Sequence, residues 1–265
     1  MKQKVRNKKW GRLVQVLLLC ICIGSAAMLT YEMILLPRQN RELAEELKDS
    51  FPDIPSQRDS SHGENSKQAG KEPEVSAVDL SSLQAQFPDV QGWLTIPDTG
   101  IDYPVLQSGM DEPEYYLRRN YQGDYDMNGS LFLQADCSLT ESGNRIIYGH
   151  NMNSGAMFGN LEKYAAKSYW QEHPKVFLQT AAGMEVYEIA AVLKADVSMF
   201  PFQQAFQNQQ DVEAYVEQAK AQSLFETGVN GADCETVLTL VTCSYEWTEA
   251  RNVVVAVKVQ PKTDD

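Results

Sequence analysis

Thr239-Leu240-Val241-Thr242-Cys243-Ser244-Tyr245 is followed, eight residues after the cysteine, by Arg251 and the apolar run 252–259. Residues 239–243 and 253–259 are β-branched and apolar, the composition of buried strands. The connection 244–250 is short enough to join antiparallel neighbours, which places Cys243 and Arg251 at one edge of a sheet. Upstream, Arg145-Ile146-Ile147-Tyr148-Gly149-His150-Asn151 reads as another short strand, ending in glycine and then histidine. A cysteine, a histidine and an arginine at strand ends suggest a nucleophile, a proton carrier and an anion stabiliser.

The chemistry needs these residue types. A cysteine of pKa about 8.5 is only a few per cent thiolate at neutral pH, and a neighbouring imidazole can take its proton. The imidazolium can later protonate a leaving amine. A guanidinium, which keeps its charge, suits the oxyanion of a tetrahedral intermediate. The outcome is acyl transfer through a thioester. Taken singly, each residue has an ordinary structural explanation: a small core residue, a turn residue, a solvated charge. Cys137 and Cys234 lack the strand-end setting and read as structural. His173 reads as a cap or surface residue, and His62 as solvated.

The N-terminus carries Lys2, Lys4, Arg6, Lys8, Lys9 and Arg12 without an acid, then an apolar stretch, 13–36, whose one charged side chain is Glu32. About 20 apolar residues span a bilayer as a helix, and basic residues before the span keep that end cytoplasmic. The rival reading is a cleaved signal peptide, with Gly24-Ser25-Ala26-Ala27 as a cleavage region, although the stretch exceeds a usual signal core. The net charge is −13. Six basic residues and one acid before residue 38 leave 17 basic and 35 acidic residues beyond it, a net of −18. That excludes binding to a nucleic-acid backbone. Outside the span lie Cys137, Cys234 and Cys243, an odd number, so at least one thiol has no intramolecular disulfide partner.

Residues 1–12 thus form a basic cytoplasmic tail, 13–36 an anchor, and 37–77 a lead-in made of a charged helical stretch (38–48) and a polar, flexible spacer. The folded domain occupies 78–261, with a tail at 262–265. Leu80, Leu83 and Phe87 predict a short helix ended by Pro88. Strands are expected at 91–97, 101–106, 115–117, 130–133, 145–148, 176–179, 185–192, 239–243 and 253–259. Helical character is expected at 157–164, 167–171 and, most clearly, 211–225. Many short strands and few helices argue for a mainly β fold, a closed or nearly closed β-barrel preceded by one transmembrane helix. No zinc site surrounds His150 or Cys243.

Together these segments resemble the sortases, cell-surface transpeptidases of Gram-positive bacteria. The shared features are a TLxTC strand (Thr239–Cys243), an arginine opening the next strand (Arg251) and an earlier histidine after a short strand (His150). Ile146 to Met152, Gly155-Ala156-Met157-Phe158 and Leu161-Glu162-Lys163-Tyr164 resemble the histidine region of class B. The helix at 211–225 is similar to that class's insertion between the sixth and seventh strands.

The resemblance covers about 78–261 and implies an eight-stranded barrel. It implies that Cys243 attacks the carbonyl after threonine in a C-terminal sorting motif of a secreted protein, that His150 protonates the departing amine, and that Arg251 holds the substrate or its oxyanion. Thr242 is expected to shape the groove, with Ser198 and Phe200 in a wall over it. The expected partners are sorting-motif proteins, an amine of a peptidoglycan precursor, and the membrane through 13–36, with the catalytic domain outside the cell. No cofactor or metal is implied, and Asp124 and Asp126 read as a solvated loop. The competing readings are another extracellular Cys/His wall-peptide hydrolase or transpeptidase, and a surface-binding domain without catalysis.

Overall fold

Eight apolar segments close into one barrel. In the computed structural model, which describes residues 2–53, 75–196, 200, 202–203, 205–231, 234–243 and 250–259, the strands are β1 (Val90–Ile96), β2 (Ile101–Leu106), β3 (Leu131–Leu133), β4 (Asn144–Tyr148), β5 (Lys175–Thr180), β6 (Gly183–Asp196), β7 (Val237–Cys243) and β8 (Ala250–Lys258). Their order around the barrel is β1-β2-β3-β4-β7-β8-β6-β5. β2–β3 and β4–β7 are parallel and every other pair is antiparallel. Val253, Val254 and Val255 are wholly buried, as are Leu238 and Leu240, so the last hairpin is core on both faces.

Two expected elements take a different form. Tyr115–Arg118 is a 3-10 turn, not a strand. After Pro113 the chain closes i→i+3 bonds, Tyr115 N–H to the Glu112 carbonyl and Leu117 N–H to that of Glu114, so no strand ladder forms. The helical character expected at 157–164 is realised as a second 3-10 segment, Gly159–Ala165.

The α-helices are α1 (Lys2–Thr30), α2 (Leu36–Ser50), α3 (Leu80–Gln86), α4 (Lys167–Glu172) and α5 (Gln209–Ala221), with a π turn at Tyr31–Leu35. Asn208 caps α5 by accepting from the Asp211 N–H at 3.1 Å. This helix buries Val212, Tyr215, Val216 and Ala219 along one face. The Tyr215 hydroxyl meets Thr239 Oγ1 at 3.1 Å, and Thr239 Oγ1 donates to Asn144 Oδ1 at 2.8 Å. The helix is thereby pinned across β4 and β7, four residues before Cys243. At the other end of the barrel, buried Arg145 pairs with Glu185, which also accepts from Lys258 Nζ at 2.7 Å.

Within α1, Arg12–Thr30 is the one helix among the described residues long and apolar enough to cross a membrane. It ends six residues before the expected limit, where the π turn begins. α2 lies against the barrel. Ala44 and Leu47 are buried, Leu47 among Val78, Leu80, Leu83 and Trp93. Lys48 Nζ reaches Asp102 at 2.8 Å, and the same carboxylate accepts from Trp93 Nε1 at 2.6 Å and Thr95 Oγ1 at 2.8 Å. Beyond α2, Pro52 pairs with Val78, and Asp79 N–H donates to the Phe51 carbonyl at 2.8 Å. Most of the expected spacer, 54–74, lies outside the described residues, but its two flanks are tied together. The separation of α2 from the barrel is therefore set by packing.

This arrangement carries a prediction. Deleting a buried leucine side chain costs about 2–5 kcal/mol, and one kcal/mol is worth about 2–4 °C in a domain of this size. A chain beginning at Val78 will melt at least about 4 °C below one beginning at Leu36, by scanning calorimetry. Equal melting temperatures would mean that α2 adds nothing to the fold.

Candidate active site

Pairing between β4 and β7 decides where the histidine goes. The strands run parallel with Tyr148 opposite Val241, and the Gly149 N–H extends the ladder by donating to the Val241 carbonyl at 3.1 Å. His150 is thus two residues past its strand's last pair, and Cys243 is two residues past the same pair on the neighbouring strand. Glycine is required at 149, because a Cβ there would lie 2.5 Å from Leu131 Cδ2 and 2.8 Å from Phe158 Cδ2. The β7–β8 register then sets Cys243 opposite Arg251. On its other side Arg251 pairs with Ala195 of β6. All three residues come to one end of the barrel.

Cys243 is described by its backbone. His150 is half-buried, and its Nε2 lies 2.7 Å from the Leu117 carbonyl oxygen. A carbonyl only accepts, so Nε2 carries the proton and, in the neutral ring, Nδ1 keeps the lone pair. Burial pushes the His150 pKa down, with Arg118 acting in the same direction, while the Leu117 bond and Asp126 oppose it. Arg251 is half-buried and donates from Nη1 to its neighbour's carbonyl, Ala250 O, at 3.0 Å.

The remaining expected site residues are placed less uniformly. Thr242 is buried opposite Asn252, and among the described residues neither Thr242 Oγ1 nor Asn252 Nδ2 has a partner. Ser198 lies outside the described residues. Phe200 is only 2 % exposed and packs on Phe202 and Tyr215, with ring centroids 5.4 Å away in each case. Its ring belongs to the core beneath α5.

Cys137 and Cys234 are both buried, and burial pushes both thiols up, which keeps them protonated at neutral pH. His173 caps α4, its N–H reaching the Tyr169 and Trp170 carbonyls. Two neighbours fall outside the expected set. Tyr148 is half-buried, stacks on Phe132 and donates to Gln134 Oε1 at 2.8 Å. Its pKa is pushed up to about 12, chiefly by burial, with Arg251 acting against the rise. Its place two residues before the histidine on a strand was a usable signal. The Leu117 carbonyl was not, because a backbone acceptor has no residue-type signature.

A family model described as the sortase domain matches residues 94–259. Among curated proteins, Sortase B of Listeria monocytogenes is 36% identical over 169 residues, covering 63% of this chain and 68% of the relative. Sortase B of Staphylococcus aureus is 27% identical over 257 residues, 95% of this chain and 98% of the relative. Among solved structures, the Staphylococcus aureus sortase B–substrate complex superposes with a TM-score of 0.63 at 27% identity, covering 69% of this chain and 85% of that one.

Proposed function

Given that the chain belongs to the sortase family, class B, and is a transpeptidase of that family, we propose that Cys243, His150 and Arg251 carry its chemistry on sorting-motif proteins at the cell surface. One observation carries this reading: the strand register sets Cys243 opposite Arg251 and brings His150 out of the adjacent strand at the same barrel end.

The steps follow from the groups. His150 Nδ1 takes the thiol proton and the Cys243 sulfur attacks the carbonyl carbon after threonine. Arg251 stabilises the oxyanion, worth several kcal/mol in a water-poor site. The C–N bond breaks, the imidazolium gives its proton to the departing amine, and a thioester remains. An amine of a peptidoglycan precursor then attacks the thioester. It loses a proton to His150, the C–S bond breaks, and the imidazolium returns that proton to the departing sulfur, which restores the Cys243 thiol. Through both steps the Nε2–H stays on the Leu117 carbonyl, so the ring exchanges protons at one nitrogen without turning over. Ser198 and Thr242 border the groove, Thr242 through its backbone since its side chain is buried. Arg12–Thr30 anchors the chain in the membrane with residues 1–12 in the cytoplasm and the barrel outside. That the Staphylococcus aureus relative was solved with its substrate supports a peptide-binding groove at this place.

The test is a panel of fluorogenic sorting peptides, with products identified by mass and triglycine as the acceptor. Cleavage after threonine, with the acyl fragment carried onto triglycine, supports the reading. Cleavage elsewhere in the peptide, or hydrolysis that triglycine never diverts, sinks it.

A further inference from the structure

Four successive carbonyls, 116 to 119, are each committed to a different donor. Tyr116 O accepts from the Ser130 N–H at 3.0 Å, Arg118 O from the Asp126 N–H at 2.9 Å, and Arg119 O from Ser130 Oγ at 2.8 Å. The Arg118 guanidinium returns the contact by donating to Met127 O at 3.1 Å. The turn 126–130 therefore grips this segment on both sides of Leu117, and the Leu117 carbonyl is the one turned to His150 Nε2.

The close approach depends on Gly129. Its φ is +60°. A Cβ there would collide with the Leu117 oxygen and lie 2.8 Å from both the Leu117 carbonyl carbon and the Tyr116 oxygen. Those atoms are backbone, so they cannot swing aside as a side chain would. Any residue but glycine forces the Leu117 carbonyl and the turn at residue 129 apart, which disturbs the contact between that carbonyl and the imidazole.

We propose that Gly129 is a positioning residue for His150: by admitting the Leu117 carbonyl it places the acceptor that fixes the proton on Nε2 and leaves Nδ1 for proton transfer. This deepens the reading that His150 is the catalytic base and acid, and rests on it. The effect passes through the backbone, with no contact between Gly129 and the ring.

The neighbouring Gly123 supplies the control. It also has positive φ, +84°, yet a Cβ there meets only the Tyr115 hydroxyl, at 3.4 Å. Gly123→Ala thus imposes the strain of a left-handed alanine in the same loop without moving Leu117.

The experiment uses the full chain in lipid nanodiscs, with nitrogen-15 label confined to its three histidines, and His150→Gln to assign the His150 signals. In the wild type above pH 7 the ring nitrogens of His150 will show the Nε2–H tautomer. Gly129→Ala will shift them toward a mixture and lower kcat about 10–10²-fold, the scale of a misplaced catalytic group, with KM changed much less. Gly123→Ala will keep the wild-type tautomer and a kcat within about two-fold, the ordinary scatter of a surface substitution.

A wild-type His150 carrying its proton on Nδ1 overturns the proposal whether or not Gly129→Ala folds. So does Gly129→Ala with unchanged nitrogen signals. If instead His150→Gln keeps full activity, the catalytic role of His150 fails, while the nitrogen signals still decide the effect of Gly129 on the ring.

Discussion

Alanine at Cys243 will reduce turnover of a sorting peptide by about 10⁴-fold or more. Neither Cys137 nor Cys234 can replace the nucleophile. Cys137 is 6 % and Cys234 4 % exposed. Cys137 Sγ lies 3.7 Å from the Asn144 carbonyl, and Cys234 Sγ lies 2.7 Å from that of Thr236. Burial holds both as thiols, and a thiol is a far weaker nucleophile than a thiolate. The complementary variants Cys137→Ala and Cys234→Ala will therefore lower stability by about 1–2 kcal/mol, as small core truncations do, with little change in kcat. Steady-state cleavage and urea unfolding of the three variants give the comparison. Residual activity of Cys243→Ala above a few per cent would remove Cys243 from the chemistry.

Glutamine at His150 will lower kcat/KM by about 10²–10⁴-fold, the usual share of general acid–base catalysis. Glutamine can keep a donor on the Leu117 carbonyl but cannot take or give a proton. The pH profile supplies a second readout. Burial first, then the Arg118 charge, hold the His150 pKa below its ordinary 6.5. The neutral, proton-accepting ring therefore persists at neutral pH, and the acid limb of kcat/KM will fall below pH 6.5 and vanish in His150→Gln.

The same shift is linked to stability. Between the folded pKa and 6.5 the unfolded chain binds more protons at this position than the folded one. Its contribution is full above pH 6.5 and is lost as pH falls through the folded pKa. His150→Gln will accordingly flatten the acid side of the stability curve. A variant with wild-type kcat/KM and an unchanged acid limb would show that His150 carries no proton in the reaction.

Much of the barrel was readable where hydrophobic pattern and turn residues agree. β2 falls on 101–106 as expected, and the strands ending at Cys243 and starting near Arg251 follow from their β-branched runs. Length was less readable. β6 extends to Asp196, beyond the expected 192, because Lys194, Ala195 and Asp196 find partners in Asn252, Arg251 and Ala250. Pairing with a distant strand leaves no local mark. Tyr115-Tyr116-Leu117 has strand composition, but the preceding Pro113 turn and capture of the Tyr116 carbonyl by the Ser130 N–H make it a 3-10 segment.

The site divides along the same line. His150, Cys243 and Arg251 are named by residue type and strand position, which a sequence displays. The Leu117 carbonyl and the space at Gly129 are properties of backbone packing, which it does not. α2 belongs between these cases. The spacing of Leu43 and Leu47 marks an apolar stripe, yet only tertiary contact shows that Leu47 enters the cluster around Trp93. Phe200 marks the limit of positional analogy. Its place ahead of α5 suggested a wall over the groove, and the ring packs inward on Tyr215.

Thioester formation on Cys243 is tested by the intact mass of the wild-type chain, taken during turnover of a cleaved sorting peptide and quenched in acid. A single adduct is expected, equal to the peptide's acyl fragment, mapped by digestion to Cys243 and discharged when triglycine is added. Turnover without an adduct, even when acceptor is withheld, or an adduct mapped to Cys137 or Cys234, would contradict it.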